Sequence, residues 1–271
     1  MIERVRTPVL VRGVGDVGSA VAVLLFRAGY AVALHDEPAP ATSRRGMAFT
    51  DAVFDGAATL DGLTAQRVET AAELRHALDA GEVVPVAVGL LSEVFESAAW
   101  SALIDARMRK RAVPEKQRGI APLTIGLGPN FIAGETVDLA IETSWGDRLG
   151  AVIETGPTQP LAGEPRAIGG VGRARFVYAP VAGCFETSAQ IGDRVAENEV
   201  VATIGVVALT APLAGIIRGL TRSGVRVTAG AKVIEVDPRG NSVAAFGLGE
   251  RPRRIAEGVL RALGRVPALA F

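Results

Sequence analysis

The chain has 271 residues, enough for one large or two ordinary domains, and 49% of them are hydrophobic against 21% charged. Its 29 basic and 29 acidic residues cancel to a formal net charge of zero, and aromatics make up only 5%. This balance excludes a disordered chain and a nucleic-acid-coating surface. One cysteine, Cys184, excludes an internal disulfide and a two-thiol redox pair.

In chain order, the apolar run 9–11 predicts a buried strand and 17–27 an apolar helix closed by Gly29. Residues 31–35 predict a second strand ending at Asp36. A helix over 70–80 and strands over 83–88, 103–106 and 123–127 follow. Strand–helix alternation with short glycine turns predicts an α/β domain over residues 1–140, Rossmann-like, with a mainly parallel sheet. From about residue 141 short valine-rich runs separated by Gly, Pro and Asp predict β-structure up to 243, and 244–271 a helical tail. The start of the chain has no signal-peptide pattern, and no apolar run reaches the length of about 18 residues that a membrane span needs. A cytoplasmic protein with no membrane or nucleic-acid partner is the expectation.

The second half repeats itself. Segments 179–204 and 211–236 align without a gap at a constant offset of 32, with eight of 26 positions identical. Each copy is too short to bury an apolar face alone, so the two must pack together. The pattern resembles the barrel-sandwich hybrid of biotinyl and lipoyl domains, an all-β fold of two such halves. Those carriers place a modifiable lysine between the halves, where this chain has Gly205-Val206-Val207-Ala208-Leu209-Thr210. No biotin or lipoate is expected. Cys184, inside the first copy, is expected to be buried filler.

Between the first strand and helix, Gly13, Gly15 and Gly18 stand in the G-x-G-x-x-G spacing that lets backbone approach a pyrophosphate. Asp36, 18 residues after Gly18, is placed to accept hydrogen bonds from a ribose. The alternative is a tight turn that needs glycine only for its φ angle and for close packing. Asp16, inside the loop, is unfavourable beside phosphates unless it serves the helix start.

Past the second strand, Arg44 and Arg45 are placed to grip an anionic group, or to stand as a solvated pair. Arg107, Arg109, Lys110 and Arg111 follow a strand end, the edge where open α/β sheets bind ligands. Gly126, Gly128, Pro129 and Asn130 form a second glycine-bearing loop that would line the same crevice. In "IETSWGDRLG", Glu142, Thr143 and Asp147 are polar candidates, and Trp145 is either a stacking surface or, as is more usual for tryptophan, part of the core. HExxH, GxSxG, a Cys/His cluster and a Tyr-x-x-x-Lys pair are all missing, so no metal hydrolysis, serine triad or ready acid–base group for a dehydrogenase is in view.

The ordered blocks "RGVGDVGSAVAVLLFRAGY", "DEPAP…RRGMAFTDAVFDG", "DARMRKR", "IGLGPNFIAGETVDLAIET" and "GGVGRARFVYAPVAGCF…DPRG" resemble bacterial accessory proteins (YqeB-type) of the selenium-dependent molybdenum hydroxylase system. The resemblance implies a maturation factor for a molybdenum hydroxylase client. It matches Gly13, Gly15 and Asp16 to the glycine loop and Asp36 to an acidic position. Arg44, Arg45, Arg107, Lys110 and Arg111 match basic positions, and Gly126, Gly128, Pro129, Glu142 and Thr143 the later loop. Asp147 departs from it, standing where a histidine is expected. The ligand would be nucleotide-bearing, a molybdopterin dinucleotide or NAD(P). An NAD(P)-dependent oxidoreductase and a non-enzymatic protein-binding scaffold stay open, as does self-association.

Overall fold

The computed structural model describes residues 8–109, 112–161, 163 and 165–265. Strands β1 (Pro8–Arg12) and β2 (Ala31–Asp36) flank helix α1 (Asp16–Arg27), as their fully apolar runs require of a sheet covered on both faces. Helix α2 (Ala52–Asp55) leads to a hairpin of β3 (Ala57–Leu60) and β4 (Leu63–Val68). Then come α3 (Ala71–Ala80), β5 (Val84–Val88), α4 (Leu91–Glu96), β6 (Ala102–Asp105) and β7 (Leu123–Leu127). Thr70 starts α3 by accepting from the Glu73 amide, and Gly81 ends it at φ 61°. Short strands β8 (Ile132–Ala133), β9 (Leu139–Ile141), β10 (Val152–Ile153) and β11 (Gly156–Pro157) follow.

Nine strands form one sheet in the order β10-β9-β7-β6-β1-β2-β5-β4-β3, parallel throughout except for its two edge strands. The fold is thus mixed α/β with a large, mostly parallel sheet, compatible with a Rossmann-like arrangement. The chain runs from β1 to β2, out to the edge hairpin of β3 and β4, back in to β5, and then crosses to β6 on the other side of β1. The reversal between β1 and β6 is where such sheets open a crevice at their C-terminal edge. One face carries Val9, Val11, Val32, Leu34 and Ile104 against α1 and α5 (Glu250–Leu263); the other carries Leu10, Ala33 and Leu103 against α3 and α4.

The expected division of the chain shifts in two places. Strands β9 and β10, partly beyond residue 140, complete the large sheet, and α5, expected as a tail, packs along α1 in the main core. The helix returns there because Ile255, Ala256, Val259 and Ala262 repeat on one face and are fully buried.

The repeats build two antiparallel four-stranded sheets. Their strands are β12 (Phe176–Tyr178), β13 (Gly183–Glu186), β14 (Arg194–Val195), β15 (Val200–Ile204), β16 (Val207–Thr210), β17 (Gly215–Leu220), β18 (Val225–Val227) and β19 (Lys232–Asp237). One sheet runs β12-β19-β17-β14, the other β16-β15-β13-β18. Moving each strand by the repeat offset turns one order into the other, and the registers obey the same shift. Gly183 faces Val227 as Gly215 faces Val195, and Phe185 faces Ile204 as Ile217 faces Val236. Each copy lends its middle strand, β14 or β18, to the other copy's sheet, so neither half closes its core alone. The shared core holds Phe185, Ile217, Leu220 and Val233, all fully buried.

Candidate ligand-binding site

The glycine loop is tightly built. Gly13 N–H donates to the His35 carbonyl at 2.7 Å, and Val14 N–H to Asp36 Oδ2 at 2.8 Å. Asp36 Oδ1 accepts from the Glu37 amide at 2.8 Å, so both carboxylate oxygens serve the chain's own backbone. Burial pushes the Asp36 carboxyl up, against those two amides, which hold it down. Asp16 Oδ1 accepts from Val17 N–H at 3.0 Å, an acid at the helix start where the dipole favours it. Ser19 and Thr50 hydroxyls both donate to the Val14 carbonyl. A Cβ on Gly18 would lie 1.9 Å from the Gly13 carbonyl oxygen, so this glycine seats α1 on the loop. Gly15 is open by comparison, its nearest neighbour being Thr42 at 3.9 Å.

The described part of the basic run past β6, Arg107 and Arg109, is paired locally. Arg107 binds Asp105 and, at 2.6 Å, Glu115; Arg109 binds Glu115; and Gln117 donates to Asp105 at 2.6 Å. Burial pushes Asp105 up, but Arg107 and Gln117 bring it below the ordinary carboxylate range. Lys110 and Arg111 lie outside the described residues. In the later loop, Gly126 leaves room for the Phe131 ring, which an added Cβ would meet at 2.3 Å. The Gly128 carbonyl accepts from Thr158 at 2.8 Å, and Asn130 Nδ2 donates to the Ala112 carbonyl at 3.0 Å. These residues shape the sheet edge, but of the residues singled out in the sequence only Asp16, Arg44, Pro129, Thr143 and Trp145 reach the cavity between the domains.

That cavity, of about 720 Å³, lies between the two domains. Its walls come from the α1 start (Asp16, Val17), the segment 42–44, the β-module and the α5 start (Gly249 to Pro252). Seven cations line it: Arg44, Arg166, Arg175, Arg218, Lys232, Arg239 and Arg251. At its back, Glu235 is fully buried, and its Oε1 accepts from Arg44, Arg175 and Arg218, each at 3.2 Å. Its Oε2 accepts from Arg44 Nε at 2.8 Å. Burial alone would push the Glu235 carboxyl up; the Arg44 charge and hydrogen bonds, with Arg218, hold it at about 2. Arg44 also reaches Asp16 Oδ2 at 3.1 Å, tying the glycine loop to the β-module.

Arg45, by contrast, is a clamp. It grips both Asp51 oxygens, at 2.7 and 2.8 Å, and donates to the Leu220 carbonyl at 2.9 Å. Glu142 is buried and accepts from the amides of Thr143, Ser144 and Gln159, all within 2.8 Å, which turns the Thr143 carbonyl toward Arg251 Nε at 2.8 Å. Trp145 is not core: it is 38% exposed at the cavity rim, with the Arg166 guanidinium 4.4 Å above its ring. Cys184 is not buried filler either. It is exposed on the outer face of its sheet, because β13 alternates and only Phe185 points inward.

Sequence reasoning missed Glu235, Arg175, Arg218, Lys232, Arg239 and Arg251. The signal was in the repeat. Glu235 replaces Thr203 and Arg218 replaces Glu186 at equivalent positions, so one copy gains a charge at the first and reverses it at the second. Among the described residues no group of three or more His, Cys, Asp or Glu is placed to hold a metal ion, and no helix is long and apolar enough to cross a membrane.

No protein-family model matches the chain. Two solved structures share short stretches with it. The product-bound ectoine utilization protein EutE (DoeB) from Ruegeria pomeroyi is 23% identical over 24% of this chain and 22% of its own, with a TM-score of 0.22. A succinylglutamatedesuccinylase/aspartoacylase from Rhodobacter sphaeroides is 25% identical over 31% of this chain and 30% of its own, with a TM-score of 0.21. At those scores neither likeness carries an argument. Over 255 residues the chain is 36% identical to the uncharacterized protein YqeB of Escherichia coli (strain K12), covering 94% of this chain and 47% of that protein. It therefore spans about half the length of the curated relative that it matches, and the similarity fits the YqeB-type pattern of its sequence blocks.

Proposed function

We propose that this protein is an accessory factor for a molybdenum hydroxylase and holds a nucleotide-bearing ligand, a molybdopterin dinucleotide or NAD(P), in the cleft between its two domains. The observation that carries the ligand site is the concentration of seven cations on the wall of one cavity. Its volume falls in the range of about 300–1,000 Å³ usual for small-ligand sites. The accessory role rests on the collinear sequence blocks alone. The glycine loop fits a pyrophosphate less well, since the Gly13, Val14 and Val17 amides already serve His35, Asp36 and Asp16. Its part in this reading is to fix the α1 start, whose Asp16 and Val17 border the cleft. We read the two swapped four-stranded sheets as a barrel-sandwich module without a carrier lysine: the tip between β15 and β16 presents Val206, fully exposed.

Thermal denaturation with NAD(P), FAD and cytidine nucleotides tests the reading. A true ligand at 100 times its Kd stabilises the fold by about 2.7 kcal/mol. No shift with any of them would remove the nucleotide. The scaffold alternative, favoured by the loop's self-satisfied amides, predicts no shift but a stable complex with a partner protein. An oxidoreductase would show itself by a change in NAD(P)H absorbance with a small carbonyl or imine substrate.

A further inference from the structure

The cations of the cleft are not equally compensated. Arg44 is held by Glu235 and Asp16, Arg239 by Asp237 at 2.6 Å, and Arg166 by Glu250 at 3.2 Å. Arg251, in the first turn of α5, makes no ion pair within 4 Å among the described residues, the Asp16 and Glu142 charges acting on it only from further off; its Nε donates to the Thr143 carbonyl. Arg218 takes a third share of the single Glu235 carboxylate, and its other nitrogens meet the Ala244 carbonyl at 3.1 Å and the weakly accepting Met47 sulfur at 3.5 Å. Burial works against both cations, and the Arg44 charge repels both. A guanidinium does not shed its proton in a protein, so it must draw negative charge to itself. Arginine's planar fork matches phosphate oxygens bidentately.

We propose that Arg251 and Arg218 together form the anchor for a phosphate or diphosphate group, so that the cleft selects its ligand by the oxyanion first and by the heterocycle second. This deepens the nucleotide-binding reading and rests on it. Glu235 is then a positioning residue: it gathers Arg44, Arg175 and Arg218 from behind the wall, while Glu142 sets the Thr143 carbonyl that aims Arg251.

The test is isothermal titration of the full chain with inorganic pyrophosphate and with a nucleoside diphosphate, alone and in competition. Arg251→Gln, which keeps a donor within reach of the Thr143 carbonyl, is compared with Arg226→Ala on the outer face of the other sheet. Pyrophosphate is expected to bind and to displace the nucleotide. Arg251→Gln is expected to weaken both by about 10- to 100-fold, as loss of a charge-assisted contact does, with Arg226→Ala unchanged. A nucleotide that binds wild type and Arg251→Gln alike, and is not displaced by pyrophosphate, overturns the anchor while leaving the nucleotide reading standing. If neither compound binds the wild-type chain, both fall. Should Arg251→Gln fail to fold, competition on the wild type alone decides.

Discussion

Glu235 shows how much one side chain organises. A carboxylate with no exposure survives in a β-module only because three guanidinium groups close on it, and removing one member of such a buried network costs about 3–5 kcal/mol. Glu235→Ala is expected to lose stability of that order in urea titrations. The pH dependence has a definite sign. The folded carboxyl sits at about 2, below its ordinary 4.5, so its contribution is complete above pH 4.5 and is lost as pH falls toward 2. Glu235→Gln should therefore be less stable than wild type at neutral pH, with the gap closing through that acid window; a gap constant down to the lower limit would contradict the assignment. Gly18 gives a second prediction at this scale. Its Cβ would meet backbone at 1.9 Å, so Gly18→Ala should cost about 3 kcal/mol, read by chemical denaturation, whereas Gly15→Ala, with open space, should cost far less.

At the scale of elements, the sequence shows periodicity but not partners. The helix at 71–80 and the strands at 31–36, 84–88 and 123–127 lie where apolar runs and turn residues put them. The hairpin of β3 and β4 escaped notice although Asp61-Gly62, both at positive φ, is a strong hairpin signal; its flanking strands alternate polar and apolar residues weakly. The repeat was legible as an offset, and the offset carries over the strand registers of the module except at a bulge in β17, where Gly219 rather than Arg218 stands opposite Glu235. What the offset could not tell is that its two copies meet different surroundings. Gly183 and Gly215 are equivalent positions, yet a Cβ on the first meets an Ile204 methyl at 2.6 Å and on the second the Asp237 carbonyl at 2.3 Å. A methyl can swing aside and backbone cannot. Gly215→Ala should lose about 2–3 kcal/mol and Gly183→Ala clearly less; equal losses in parallel denaturation curves would contradict this account of the joint.

The whole molecule is held together by crossings between domains. Leu220 N–H donates to the Ser43 carbonyl at 2.6 Å, Arg222 pairs with Asp55, and the chain leaves the β-module to return as α5 on α1. The α/β domain is thus closed by a helix that follows the β-module in the chain, and hydrogen bonds and ion pairs tie the two together, so scanning calorimetry should show one transition; two well-separated transitions would contradict it. The candidate site belongs to this scale too, which is why so little of it was legible. Glycine spacing and local basic runs point to one sheet edge, where Arg107 and Arg109 are paired with Asp105 and Glu115. The cleft instead assembles residues from 16 to 252, with Arg44 and Glu235 separated by 191 positions, and no local pattern encodes that meeting.

The most direct measurement is mass spectrometry of small molecules released when the freshly purified protein is denatured, followed by rebinding of whatever appears to wild type and to Arg251→Gln. The account predicts a phosphate-bearing compound that rebinds wild type and is held about 10- to 100-fold more weakly by the variant while the fold persists by circular dichroism. A compound without an anionic group, or one that rebinds Arg251→Gln undiminished, would contradict it.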